Sequence, residues 1–176
     1  MKRYLFVLTA AIASIAAGCG TVQSIVKSTF PYTTTLVIHS SEKTDTELSV
    51  KSSATSFDQI FTATGNNATQ VKDVRIATAR VSASNPANLQ FGRFKSIKVY
   101  IAKSNGSNEI MVASRSDIGS GAGNNLQLDV DNAKFLDEYL RGSSMRVRIA
   151  YVLRDTLDKD ASIKCSLGFS ASPGTK

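Results

Sequence analysis

Apolar and polar residues alternate through much of this chain, and that period of two limits its fold more than any other feature. Ile97, Val99 and Ile101 alternate with Lys98, Tyr100 and Ala102, and Leu126, Leu128 and Val130 alternate with Gln127 and Asp129. Met145, Val147, Ile149 and Tyr151 form a third apolar row against Arg146 and Arg148, and Leu48 and Val50 a shorter one. Successive side chains of a strand point to opposite faces, so each row marks a strand buried on one side. Further strands are expected at about Thr34 to His39, Val71 to Ser82 and Glu109 to Ser114. Asn105-Gly106, a strong hairpin dipeptide, should join the last of these to the strand over Ser96–Lys103. About seven to nine short strands separated by turn residues predict an all-β domain, an immunoglobulin-like or related antiparallel β-sandwich.

One short helix near 133–141 is expected among the strands. Asn132 can cap it, Ala133, Phe135, Leu136, Tyr139 and Leu140 follow at roughly helical spacing, and Gly142 stops it. It would cross over between the Leu126 and Met145 strands. Phe57, Ile60 and Phe61 fit either a short turn or a strand.

The first residues follow a different pattern. Lys2 and Arg3 precede an apolar run from Tyr4 to about Ile15, and small residues lead to Cys19. These are the parts of a secretory signal over residues 1–18, to be cleaved. A membrane-spanning helix needs roughly 20 apolar residues, and Gly20, Thr21, Gln23 and Ser24 end this run too early. Ile15-Ala16-Ala17-Gly18-Cys19 resembles the lipobox of bacterial lipoproteins, with Ala16 in the place where Leu is usual. The resemblance implies that Cys19 is lipidated and becomes the new N-terminus, with 19–32 as a membrane tether, 33–172 as the β-sandwich domain and 173–176 as a tail. Each buried methylene of an acyl chain contributes about 0.8 kcal/mol, and two or more chains hold stably. Gly20 in place of an aspartate, with no acidic run after it, implies an outer-membrane lipoprotein of the cell envelope that faces the periplasm. An ordinary secretory leader cut after Ala17 is the alternative.

Removing Lys2 and Arg3 with the leader leaves 19 basic side chains against 14 acidic ones. The basic residues are scattered from Lys27 to Lys176 without a dense run or aromatic interleaving, which excludes a nucleic-acid footprint. Anionic envelope glycans or lipid head groups remain partners on charge grounds, as does an envelope protein. With Cys19 lipidated, Cys165 stands alone and forms no internal disulfide. It shares parity with Ile163, Leu167 and Phe169 and is expected to point inward as a buried thiol.

Several motifs suggest chemistry and fall short of it. Gly119-Ser120-Gly121-Ala122-Gly123 lacks the Lys-Ser/Thr and the helix of a phosphate loop, and is expected to be a flexible strand connection. Asp155, Asp158 and Asp160 lack the glycine and distal glutamate of an EF-hand, so a solvated turn is expected rather than a metal site. Asp129 and Asp131 share a face at about 7 Å along a strand, a spacing usable for glycoside hydrolysis. His39 is the chain's only histidine and has no evident partner. Asp155-Thr156-Leu157 resembles the Asp-Ser/Thr-aliphatic acceptor of O-glycosylation in some Bacteroidetes-type bacteria, which would make Thr156 the modified residue. Asn67-Ala68-Thr69 and Asn105-Gly106-Ser107 read as turns.

No cofactor is implied and no catalytic residue is assigned. The expected function is a lipid-anchored envelope binding or structural module. The alternatives are a glycan-binding envelope module and an envelope hydrolase. The glycan reading is weakened by the absence of Trp, which leaves Tyr32, Tyr100, Tyr139 and Tyr151 as stacking candidates. Among these, parity places Tyr100 on an outward face. The hydrolase reading would depend on His39 or on Asp129 and Asp131, and no Gly-x-Ser-x-Gly elbow supports it.

Overall fold

The computed structural model describes residues 28–53, 55–56, 71–140 and 144–173. Cys19, the leader, Phe57, Ile60, Phe61, Asn67 and Gly142 lie outside the described residues. In chain order the strands are β1 (Ser28–Ile38), β2 (Glu47–Lys51), β3 (Thr55–Ser56), β4 (Val71–Asn85), β5 (Phe94–Lys103), β6 (Ile110–Arg115), β7 (Asn125–Gln127), β8 (Asp129–Val130), β9 (Ser144–Leu153) and β10 (Ala161–Pro173). A 3-10 turn, Phe91–Arg93, leads into β5, and helix α1 (Asp137–Leu140) precedes β9.

The strands form two antiparallel sheets. One runs β1-β10-β4-β7; the other runs β2-β9-β5-β6-β8, with β3 also paired to β9. The chain is an all-β sandwich, and the alternating rows line its interior. Ile97, Val99 and Ile101 from β5 and Met145, Val147, Ile149, Tyr151 and Leu153 from β9 meet Ile163, Cys165, Leu167 and Phe169 from β10 in one continuous core. Phe94 packs between Phe91 and Tyr151, with ring centroids 5.6 and 5.9 Å away. Burying one such side chain stabilises the fold by roughly 1.5–3 kcal/mol. Asn105-Gly106 turns β5 into β6 as expected: the Gly106 N–H donates to the Lys103 carbonyl at 2.8 Å, and Gly106 has φ 84°.

Parity reverses within β4, where Val74 and Ile76 are buried and then Ala79 and Val81. The register with β10 shifts between Gly168 and Phe169, so Ala77 is the extra residue of a bulge. A Cβ on Gly168 would lie 2.4 Å from Thr78 Oγ1, so glycine permits the close approach there.

Four expectations need revision. The Leu126 to Val130 row is two strands in different sheets. Leu126 in β7 pairs with Val81 of β4, whereas Val130 in β8 pairs with Ala113 of β6. Leu128 sits at the crossing, buried, with its N–H donated to the Ala79 carbonyl at 2.9 Å. The helix is shorter than 133–141. Asp131 accepts the Ala133 N–H, Arg75 binds the carbonyls of Asn132 and Ala133, and the Leu136 N–H goes to the Val74 carbonyl. The local bond to Asp131 and the bonds to β4 occupy the first turn's backbone, so helical turns begin at Asp137 and not after Asn132. β1 begins at Ser28, inside the segment expected to be tether. The glycine-rich connection is pinned at several points: the Phe91 and Gly92 N–H groups donate to the carbonyls of Gly123 and Ala122, at 2.8 and 3.0 Å.

Candidate functional site

The outer face of the six-stranded sheet carries the most unusual grouping of side chains. Register places Lys51 of β2 opposite Arg148 of β9, Arg148 opposite Tyr100 of β5, and Tyr100 opposite Met111 of β6. The last pairing depends on a register shift in β6, which lets Val112 and Ala113 both be buried and returns Met111 to the outer face. Arg146 lies two residues before Arg148 and therefore on the same face.

Arg148 is held from two sides. Its guanidinium makes a bidentate pair with Glu109, Nε to Oε1 at 2.8 Å and Nη2 to Oε2 at 2.5 Å, and lies 4.0 Å above the Tyr100 ring. The hydrogen bond from Arg148 holds the Glu109 carboxyl below its usual range, and Glu109 in return raises Arg148. Arg146 donates Nε to the Ser104 carbonyl at 2.6 Å. Lys51, Arg146, Arg148, Glu109 and Gly106 line a depression of about 40 Å³. Among the described residues neither Lys51 nor Arg146 has a carboxylate within ion-pair distance; the nearby Lys98 pairs with Glu47 at 2.7 Å. Three cations therefore share one carboxylate. Two of them, Lys51 and Arg148, stand directly opposite each other, an arrangement that disfavours the sheet.

Among the tyrosines, Tyr100 is half-buried on the outer face, while Tyr32, Tyr139 and Tyr151 are in the core. Arg148 already covers one side of the Tyr100 ring, so that side does not stack on a sugar while the pair with Glu109 holds.

The structure gives His39 a partner. It follows β1 directly, Asp160 precedes β10, and the pairing of Ile38 with Ala161 sets the two opposite each other. His39 Nδ1 lies 2.8 Å from Asp160 Oδ2, while Ser40 donates its N–H and its hydroxyl to Asp160 Oδ1 at 2.9 and 3.1 Å. The serine hydroxyl is thus directed to the carboxylate and not to the imidazole, unlike an activated nucleophile. No local signal in the sequence joins residues so far apart.

The other carboxylates are dispersed. Asp158 pairs with Arg93 at 2.9 Å, Asp129 with Arg115 at 3.3 Å and Asp131 with Lys134 at 3.1 Å. Asp129 and Asp131 are therefore engaged by separate cations. No group of three or more potential ligands able to hold a metal occurs among the described residues. Thr156 is exposed, with its carbonyl bound to Arg93. Cys165 is fully buried, and burial pushes its thiol up to about 12. A cleft of about 200 Å³ lies where Pro86, Leu89 and Gln90 meet Arg93, Leu157 and Asp158. No described helix is long and apolar enough to cross a membrane.

No protein-family model matches the chain, and no curated protein matches it by sequence. Three solved structures are distantly similar. One belongs to carbohydrate-binding modules of the β-sandwich superfamily with promiscuous specificity, at 12% identity and TM-score 0.30, covering 90% of this chain and 60% of that one. The others are Desmodium yellow mottle tymovirus, at 5% identity and TM-score 0.26 over 85% and 90% of the two chains, and the empty head of turnip yellow mosaic virus, at 9% and 0.25 over 89% and 87%. At such TM-scores the likeness carries no functional argument, and the strand pairing itself defines the fold.

Proposed function

We propose that this chain is a lipid-anchored binding module of the bacterial cell envelope, without catalytic activity, which presents the outer face of its larger sheet to an envelope partner. The observation that carries the reading is the excess of cations around the Lys51–Arg146–Arg148 depression. A sheet face with no binding role gains nothing from two like charges set opposite each other, whereas local rules are commonly broken where a ligand will supply the missing interaction. The anchor rests on the small residues before Cys19, and the outer-membrane, periplasm-facing position on Gly20 and the lack of an acidic run after Cys19.

Two measurements in a native host test the two halves separately. The mature protein should carry a lipid mass on Cys19, and Cys19→Ala should shift it out of the membrane fraction; unchanged fractionation overturns the anchor. A photo-crosslinker at Ser49, on the outer face of the larger sheet, should capture an envelope component that one at Lys164, on the other sheet, does not. Equal capture from both positions overturns the binding face.

A further inference from the structure

We infer that the depression formed by Lys51, Arg146 and Arg148 seats the acidic groups of a polysaccharide, so that the ligand is an extended chain of sugars bearing carboxylates. This rests on reading the outer face of the larger sheet as the binding surface.

Charge and spacing define the ligand first. Lys51 and Arg148 lie one strand apart, about 5 Å, and Arg146 and Arg148 two residues apart on one strand, about 7 Å. With Glu109 committed to Arg148, the free valence belongs to Lys51 and Arg146, which flank the depression from neighbouring strands. A volume of about 40 Å³ accepts one small oxyanion group and not a folded element. Repeated anions along a flexible chain would let successive groups occupy the depression, while the neighbouring Lys98 stays paired with Glu47.

The surroundings select a hydroxylated polymer over a lipid surface. Ala102 and Ala150 occupy outward positions on β5 and β9 and are buried beneath their neighbours, which keeps the floor low. Ser49 and Ser96 place hydroxyls on the same face, and Ser104 and Ser107 lie in the adjoining hairpin. The large apolar side chains exposed among the described residues are Val37 and Phe135, and neither is on this face. A membrane surface would therefore find charge here but only the half-buried Tyr100, Met111 and Val152 as apolar groups, none of them projecting, whereas interfacial binding draws on both. A polyanion with many hydroxyls finds donors, acceptors and compensating charge together.

The test uses the mature lipidated protein in zwitterionic micelles, titrated calorimetrically with polygalacturonate, uncharged dextran and short-chain phosphatidylglycerol. Polygalacturonate should bind, and more weakly as salt is raised. The double variant Lys51→Gln/Arg146→Gln should lose about tenfold in affinity, the sum of two exposed charge contacts, while Lys164→Gln on the opposite sheet should retain it. Both substituted side chains are exposed, and thermal melts should match the parent. Equal binding of dextran, binding of phosphatidylglycerol alone, or an equal loss in Lys164→Gln overturns the inference. If Ser49 crosslinks an envelope component in cells while polygalacturonate does not bind, the ligand class falls and the binding face stands.

Discussion

At the residue scale, Arg148 organises its surroundings by satisfying one carboxylate and one aromatic ring at once. The Arg148 hydrogen bond lowers the pKa of Glu109 in the folded chain, so its stabilisation is fully present above the unfolded value near 4.5 and is lost as pH falls through the lower folded value. Glu109→Gln should accordingly lower the urea midpoint at neutral pH and approach the parent as the pH is taken below 4.5 and through the lowered Glu109 value. A gap that stays constant across that range would contradict the assignment. Parity alone was enough to place Cys165 inside and Tyr100 outside, because alternation is a property of the strand itself. It could not reveal that Arg148 covers Tyr100, or that Asp160 leaves its loop neighbours for His39, since both depend on which strands lie side by side.

At the scale of elements, close backbone approach decides what the glycines do. Phe91–Arg93 and the Gly119–Gly123 connection hold each other through backbone bonds, and Arg154 donates to the carbonyls of Gly92 and Ile118, tying both to the end of β9. A Cβ on Gly92 would stand 2.0 Å from the Ser120 carbonyl oxygen, whereas one on Gly119 would meet open space. Gly92→Ala should therefore cost about 1–3 kcal/mol in denaturant unfolding, and Gly119→Ala should stay within about 0.5 kcal/mol. Similar losses for both would refute this account. The existence of β5, β9 and the β5–β6 hairpin was legible from alternation and from Asn105-Gly106. The break at Leu128 was not, because a segment that passes from one sheet to the other keeps its period of two. The short α1 was overestimated for a related reason: helical spacing in residues 133–140 competes with backbone bonds to β4 that local propensity does not contain.

At the scale of the whole molecule, the four-stranded sheet joins the two ends of the described chain, β1 and β10, to β4 and β7 from its middle. β10 lies between β1 and β4, pairing with both along most of its length. Its inward row of Ile163, Cys165, Leu167, Phe169 and Ala171 supplies the middle of that sheet's core. Truncation before Leu167 should therefore abolish the cooperative thermal transition instead of lowering its midpoint by a few degrees. A truncated chain that still melted cooperatively would show that the six-stranded sheet folds alone. The alternation identified an all-β sandwich but not its strand order, because a row of apolar residues states which face is inside and leaves its neighbours unspecified.

The position of β1 at a sheet edge has a mechanical consequence. Any force transmitted through the residues before Ser28 arrives first as load on the β1–β10 ladder, eleven residue pairs in continuous register. β10 is braced on its far side by β4, so the ladder can carry tension without drawing on the opposite sheet. The face around Lys51 and Arg148 belongs to the opposite sheet and takes no part in that ladder.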